Sequence, residues 1–282
     1  MFKRVLVPLD GSMLAESALE PALHLAQQAM GTVYLMRVPV YLDNDAQISP
    51  EYQRAWKGEE DFPNQEDVSA YLRKTQEKLQ RSGVLVKTII GEGEPADAVL
   101  NTADTKKIDL IVMASHARSG VSRWLLGSVS GQIIRKAHIP VMLIRRPIKI
   151  NHILITLDGS NLAGLIVEPA LALAADFGCR VTFLQVLETN GSADEDEEIT
   201  NGASYLNLVQ TRHVPSNLDV NIVVKKGSAT EEILSYAAQN EVDLIAMSTH
   251  GRSGLRRLFS GSVTEKVMCD SGLAMLIIRP QE

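Results

Sequence analysis

Ser248-Thr-His-Gly-Arg-Ser-Gly-Leu-Arg-Arg-Leu-Phe-Ser-Gly-Ser262 follows the apolar run Val242-Asp-Leu-Ile-Ala-Met247 and precedes Ser262-Val-Thr-Glu265. The apolar run reads as a buried parallel strand, and the Ser-x-x-Glu pattern as a capping box that opens a helix. A strand, a glycine-containing basic loop and a helix start make an anion site in that order. Unpaired amides point out of the helix end, the helix dipole favours negative charge, and glycine admits a ligand close to the backbone. The same order occurs at Ala114-Ser-His-Ala-Arg-Ser-Gly-Val-Ser-Arg-Trp-Leu-Leu-Gly-Ser128, so the loop is present twice.

Working outward, the whole chain repeats. Val5-Leu-Val-Pro-Leu-Asp-Gly-Ser12 returns as Ile153-Leu-Ile-Thr-Leu-Asp-Gly-Ser160, and Glu20-Pro-Ala-Leu23 as Glu168-Pro-Ala-Leu171. Asp109-Leu-Ile returns as Asp243-Leu-Ile, and Gly127-Ser-Val as Gly261-Ser-Val. A fixed order of repeated segments implies two copies of one domain. They span 1–147 and 151–282, joined near Pro147-Ile-Lys-Ile150, and so short a linker implies that they pack directly together. Each copy reads as five strands alternating with helices, which means a parallel sheet with helices on both faces. In the first copy the strands are 4–9, 32–38, 85–90, 109–113 and 141–145, and the helices 13–29, 67–82, 95–107 and 128–137. The second copy has strands 152–157, 181–187, 219–225, 243–248 and 275–279, with helices 161–177, 196–213, 229–240 and 262–271. Pro21 and Pro169 fall inside the first helix of each copy and predict a kink or break there. Residues 39–66 are polar and irregular, with Trp56 and Phe62 as anchors. Asp194-Glu-Asp-Glu-Glu198 reads as a solvated helix start.

The 282 residues carry 45% hydrophobic and 22% charged residues and a net charge of −6, the balance of a soluble globular protein. That charge argues against bulk-charge binding of nucleic acid. No signal peptide or bilayer-spanning stretch is evident, and Cys179 and Cys269 have no partner at metal or redox spacing. Both read as small core residues in a reducing compartment, and the protein reads as cytoplasmic. The six histidines show no metal-ligand spacing, and no Ser–His–Asp spacing argues for nucleophilic catalysis.

Gly261 and Ser262 are the strongest pair: glycine exposes its amide, while the serine caps the helix and reaches a phosphate. A plain helix cap is the competing reading. Arg252, Arg256 and Arg257 could neutralise phosphates, or lie solvated. Asp10-Gly-Ser12 and Asp158-Gly-Ser160 end the first strands. Their carboxylates could accept bonds from a base or ribose, or simply form an N-cap and turn. Gly91-Glu-Gly-Glu-Pro-Ala96 matches a dinucleotide fingerprint only superficially, since it follows the third strand; it reads as a turn and helix start. If the first and fourth strands are neighbours, Asp158 converges with the 248–262 loop, and Asp10 with the 114–128 loop.

These residues resemble the universal stress protein family over essentially the whole chain, as two tandem domains. Its nucleotide-binding members carry G-x-x-G-(nine residues)-G-[ST] after strand four. The second copy reads Ser248-x-x-Gly251-(nine)-Gly261-Ser262, departing at Ser248; the first reads Ala114-x-x-Ala117-(nine)-Gly127-Ser128, departing twice. The resemblance implies a Rossmann-like fold of the adenine nucleotide alpha hydrolase type in each domain. It implies ATP, ADP or AMP as ligand, with magnesium as a candidate companion. Asp158 and the backbone of Val186 would meet adenine, with Thr156 and Leu157 also among the nucleotide-binding residues. Met247, Ser248, His250, Gly251 and Arg252 would hold ribose and phosphate, and Gly261, Ser262, Val263 and Thr264 the phosphates. The counterparts are Pro8, Asp10, Val38, Met113, Ala114, His116, Gly127, Ser128, Val129 and Ser130. Ala117, in place of glycine, and Gly131, in place of Glu265, make the second copy the preferred site. The family also implies that the last strands, Val141–Arg145 and Met275–Arg279, pair across an intramolecular pseudo-dimer, with a further homodimer in prospect.

Three functions follow as expectations. The first is a stress-response module whose interactions with a protein partner respond to ATP. The second is a slow ATPase in which His250 or Asp158 positions water. The third is a nucleotide-free scaffold.

Overall fold

The structure is a computed structural model, and it describes residues 1–39, 65–115, 127–188, 195–249 and 263–279. In the first half, β1 (Arg4–Pro8), β2 (Thr32–Arg37), β3 (Leu85–Ile90), β4 (Leu110–Ala114) and β5 (Val141–Ile144) alternate with helices. These are α1 (Met13–Glu16), α2 (Leu19–Gln28), α3 (Gln65–Leu79), α4 (Pro95–Lys106) and α5 (Ser128–Lys136). A 3-10 turn, Gln80–Ser82, follows α3. In the second half the strands are β6 (His152–Leu157), β7 (Arg180–Leu187), β8 (Val220–Lys226), β9 (Leu244–Ser248) and β10 (Ala274–Ile278). The helices are α6 (Asn161–Gly164), α7 (Val167–Phe177), α8 (Glu195–His213), α9 (Ala229–Gln239) and α10 (Val263–Asp270). Trp56 and Phe62 lie outside the described residues.

The expected proline break is real in both halves. The first helix ends at Glu16 and restarts at Leu19; its counterpart ends at Gly164 and restarts at Val167. Pro21 and Pro169 therefore fall in the first turn of a new helix. There a proline gives up no intrahelical hydrogen bond, so most of its interior cost of about 3 kcal/mol is avoided.

All ten strands join one sheet in the order β3-β2-β1-β4-β5-β10-β9-β6-β7-β8. Within each half every neighbour pair is parallel. At the middle, β5 and β10 run antiparallel, with Met275 opposite Leu143 and Ile277 opposite Val141. The strands alternate between two cores. Val5, Leu35, Val112, Ile153 and Ala246 face one, and Leu6, Met36, Ile111, Leu154 and Ile245 the other. Helices cover both faces, which is why these strands are apolar on both sides. Cys179 is buried in the first core, as expected, whereas Cys269 is only partly buried.

The repeated Asp-Leu-Ile has a structural reason. The Asp109 carboxylate accepts the backbone N–H of Arg4 at 2.8 Å, and Asp243 accepts those of Asn151 at 2.7 Å and His152 at 3.1 Å. Each aspartate ties the start of the fourth strand of its half to the start of the first. A second contact joins the halves outside the sheet. The His24 ring stacks on Phe177 with centroids 4.7 Å apart, and Nε2 donates to the Asp176 carbonyl at 2.8 Å.

His152 occupies a buried polar niche where the first half has Arg4. Nδ1 lies 2.9 Å from the Asn240 carbonyl and Nε2 3.0 Å from the Thr182 hydroxyl. A carbonyl only accepts, so Nδ1 carries the proton and Nε2 accepts from Thr182. Burial holds the imidazole below its ordinary pKa of 6.5. The unfolded chain therefore takes up a proton first as pH falls, and stability drops below about pH 6.5 until the folded value is passed. Urea midpoints measured from pH 7 to pH 5 will fall less in His152→Gln than in the parent protein.

Candidate functional site

The first and fourth strands of each half are parallel neighbours, and the strand order reverses between them. The crevice beyond their carboxyl ends is where an open α/β sheet receives ligands. In the second half Thr156 and Leu157 end β6 and are buried, and Asp158 follows, half-buried. The Asp158 carboxylate accepts the Ser160 N–H at 2.9 Å, and the Ser160 hydroxyl accepts the Ala163 N–H at 3.1 Å. Asp10 and Ser12 repeat both bonds, at 2.8 and 3.0 Å. The N-cap and turn reading is therefore satisfied at both aspartates. One oxygen of each is committed to the turn, so any ligand contact falls to its remaining acceptor capacity.

Met247 and Ser248 are buried at the end of β9, beside β6. Val186, half-buried, lies near the end of β7. A hydrogen bond ties the start of α10 to the strand here: the buried Thr264 hydroxyl donates to the Ser248 carbonyl at 3.0 Å. The expected phosphate ligand thus holds helix to strand through its side chain, and its backbone N–H belongs to the first turn, where amides have no partner within the helix. His250, Gly251, Arg252, Gly261 and Ser262 lie outside the described residues, as do Arg256, Arg257 and the serine of the capping box.

The first half gathers Pro8, Asp10, Val38, Met113 and Ala114 at the carboxyl ends of its own strands. Gly127 is the N-cap of α5 and Ser128 its first residue, both exposed, while Val129 is half-buried. Ser130, the Thr264 counterpart, donates to the nearby Gly127 carbonyl at 3.2 Å instead of reaching the strand. The Ser115 hydroxyl is buried with no hydrogen-bond partner among the described residues. His116 and Ala117 lie outside them.

Arg37 was not singled out by the sequence, yet it lies beneath the turn after β1. Its guanidinium stacks over the Tyr71 ring at 4.8 Å and would lie 2.9 Å from a Cβ placed on Gly11. Tyr71 donates to Glu16 at 3.2 Å, and burial, first, with the Glu16 charge pushes its phenol up to about 12. The second half places Gln185 at the equivalent position, buried, with no hydrogen-bond partner for Oε1 among the described residues. The detectable signal was a polar residue in a buried strand at corresponding places in the two copies.

Among the described residues no cluster of histidine, cysteine or carboxylate side chains is arranged to hold a metal, and no helix is long and apolar enough to cross a membrane. A sequence model of the Universal stress protein family matches residues 1–145 and again 149–279. The chain is 31% identical over 149 residues to Universal stress protein MJ0531 of Methanocaldococcus jannaschii, covering 53% of this chain and 85% of that protein. It is 24% identical to Universal stress protein Mb2028c of Mycobacterium bovis over 98% of this chain and 96% of the other. A universal stress protein structure from Archaeoglobus fulgidus superposes with a TM-score of 0.74 over 99% of both chains, at 18% identity.

Gly11 has φ +92°, a left-handed conformation that favours glycine. Gly11→Ala will destabilise the protein by about 1–3 kcal/mol in chemical unfolding. Combining it with Arg37→Gln will recover the contact part of that cost but not the backbone strain, and a double-mutant cycle separates the two.

Proposed function

The chain belongs to the universal stress protein family, and from that premise we propose that it is an adenine-nucleotide-binding module of the stress response whose principal site is in the second half. In this reading ATP, ADP or AMP occupies the edge between β6 and β9. Asp158, with Thr156, Leu157 and the Val186 backbone, receives the adenine. Met247, Ser248 and the 250–252 segment hold ribose and phosphate, and residues 261–264 grip the phosphates. The working units are 1–147 and 151–282, the protein is cytoplasmic, and magnesium accompanies the triphosphate. Occupancy changes how the module meets a protein partner. A homodimer would use a surface other than the β5 and β10 edges, which already pair with each other.

The observation that carries this reading is the Thr264–Ser248 bond. It holds the amino end of α10 against the strand beside β6, at the reversal of strand order, where amides and helix dipole favour an anion. The departures at Ala114 and Ala117, and the local bond of Ser130, support the preference for the second half over the first.

Mass spectrometry of freshly purified, denatured protein will detect adenine nucleotide, and ATP titration by calorimetry will give saturable binding. Asp158→Ala will weaken that binding about tenfold, the equivalent of one hydrogen bond, whereas Asp10→Ala will change it less. Protein that carries no nucleotide and gains no thermal stability from added ATP would favour the scaffold instead.

A further inference from the structure

Two arginines cross the seam between the halves. The antiparallel register of β5 and β10 puts the end of each strand beside the connection that leads into the other. Arg145 follows β5 and is 4% exposed. Its Nη2 donates to the carbonyl of Met268, in the last turn of α10 in the second half. Arg279 follows β10, and its Nη1 donates to the carbonyl of Arg135, in the last turn of α5 in the first half. Each half thus contributes the cation that meets the carbonyl end of the other half's final helix. Chemistry favours this, because the last carbonyls of a helix lack intrahelical partners and its dipole is negative there. Burial lowers the pKa of Arg145 to about 10, so the guanidinium remains charged at neutral pH.

These two helices are the ones whose opposite ends meet the proposed phosphates. At eight residues, α10 is a rod of roughly 12 Å, short enough that tilting one end displaces the other. We propose that Arg145 and Arg279 are crossed positioning residues: Arg145, in the first half, sets the phosphate-gripping end of α10, and Arg279, in the second, sets that of α5. The proposal rests on the nucleotide reading above. Binding in the second half then depends on a residue outside it.

The test is the crossed pattern. Arg145→Gln will weaken ATP binding at the second-half site about tenfold, and Arg279→Gln, although it lies in that half, will leave this affinity unchanged. Hydrogen exchange without nucleotide will show faster exchange across 263–270 in Arg145→Gln with 128–136 unchanged, and the reverse in Arg279→Gln. Arg145→Lys keeps the charge but not the planar fork, and will fall between parent and Gln in both measurements; it replaces the Gln variant should that variant not fold. Loosening of both helices alike, loosening confined to each arginine's own half, or no change in α10 would overturn the proposal. If the parent protein binds no ATP, the nucleotide reading fails, and the exchange pattern alone decides whether the crossed anchors exist.

Discussion

The pairing of β5 with β10 is the constraint on which the rest depends. In each half the last strand would otherwise be an edge, a row of unpaired backbone groups open to other chains. Joining the two edges removes both and makes one sheet of two. It also lets the apolar cores continue across the seam, since Met142, Ile144, Ala274 and Leu276 share one core and Leu143, Met275 and Ile277 the other. The edges that remain, β3 and β8, carry the exposed Lys87 and Lys225, charges that discourage further strand addition.

On this common frame the copies differ mainly where they could differ in function. Arg37 corresponds to Gln185, Ala114 to Ser248, and Ser130 to Thr264, each near the carboxyl ends of the strands of its own half. At the opposite strand ends the difference between Arg4 and His152 changes how the first strand is anchored, through Lys106 and Lys107 carbonyls in one half and a buried imidazole network in the other. Duplication supplies the architecture twice, and the rims are free to diverge because the strands beneath them hold the geometry.

Much of this was legible in the residues. The repeated Asp-Gly-Ser and Asp-Leu-Ile segments revealed the doubled fold, and Pro21 and Pro169 marked the broken first helix. Those signals are local, set by backbone chemistry within a few residues. The turn bonds of Asp10 and Asp158 were legible for the same reason. Arg37, Arg145 and Arg279 were not, because each acts on a partner distant in sequence and nothing in its neighbours names that partner. The two roles open to Asp158, turn former and ligand acceptor, call for the same residue type in the same place; the geometry shows the turn bond to Ser160.

Strand direction within each half is uniform, but it reverses at the seam. The two crevices therefore open at opposite rims of the molecule. A ligand entering one arrives from the side where the other is closed, and no flat partner surface can cover both mouths. A protein that senses the two together must wrap around the sheet or approach as two copies, one from each side.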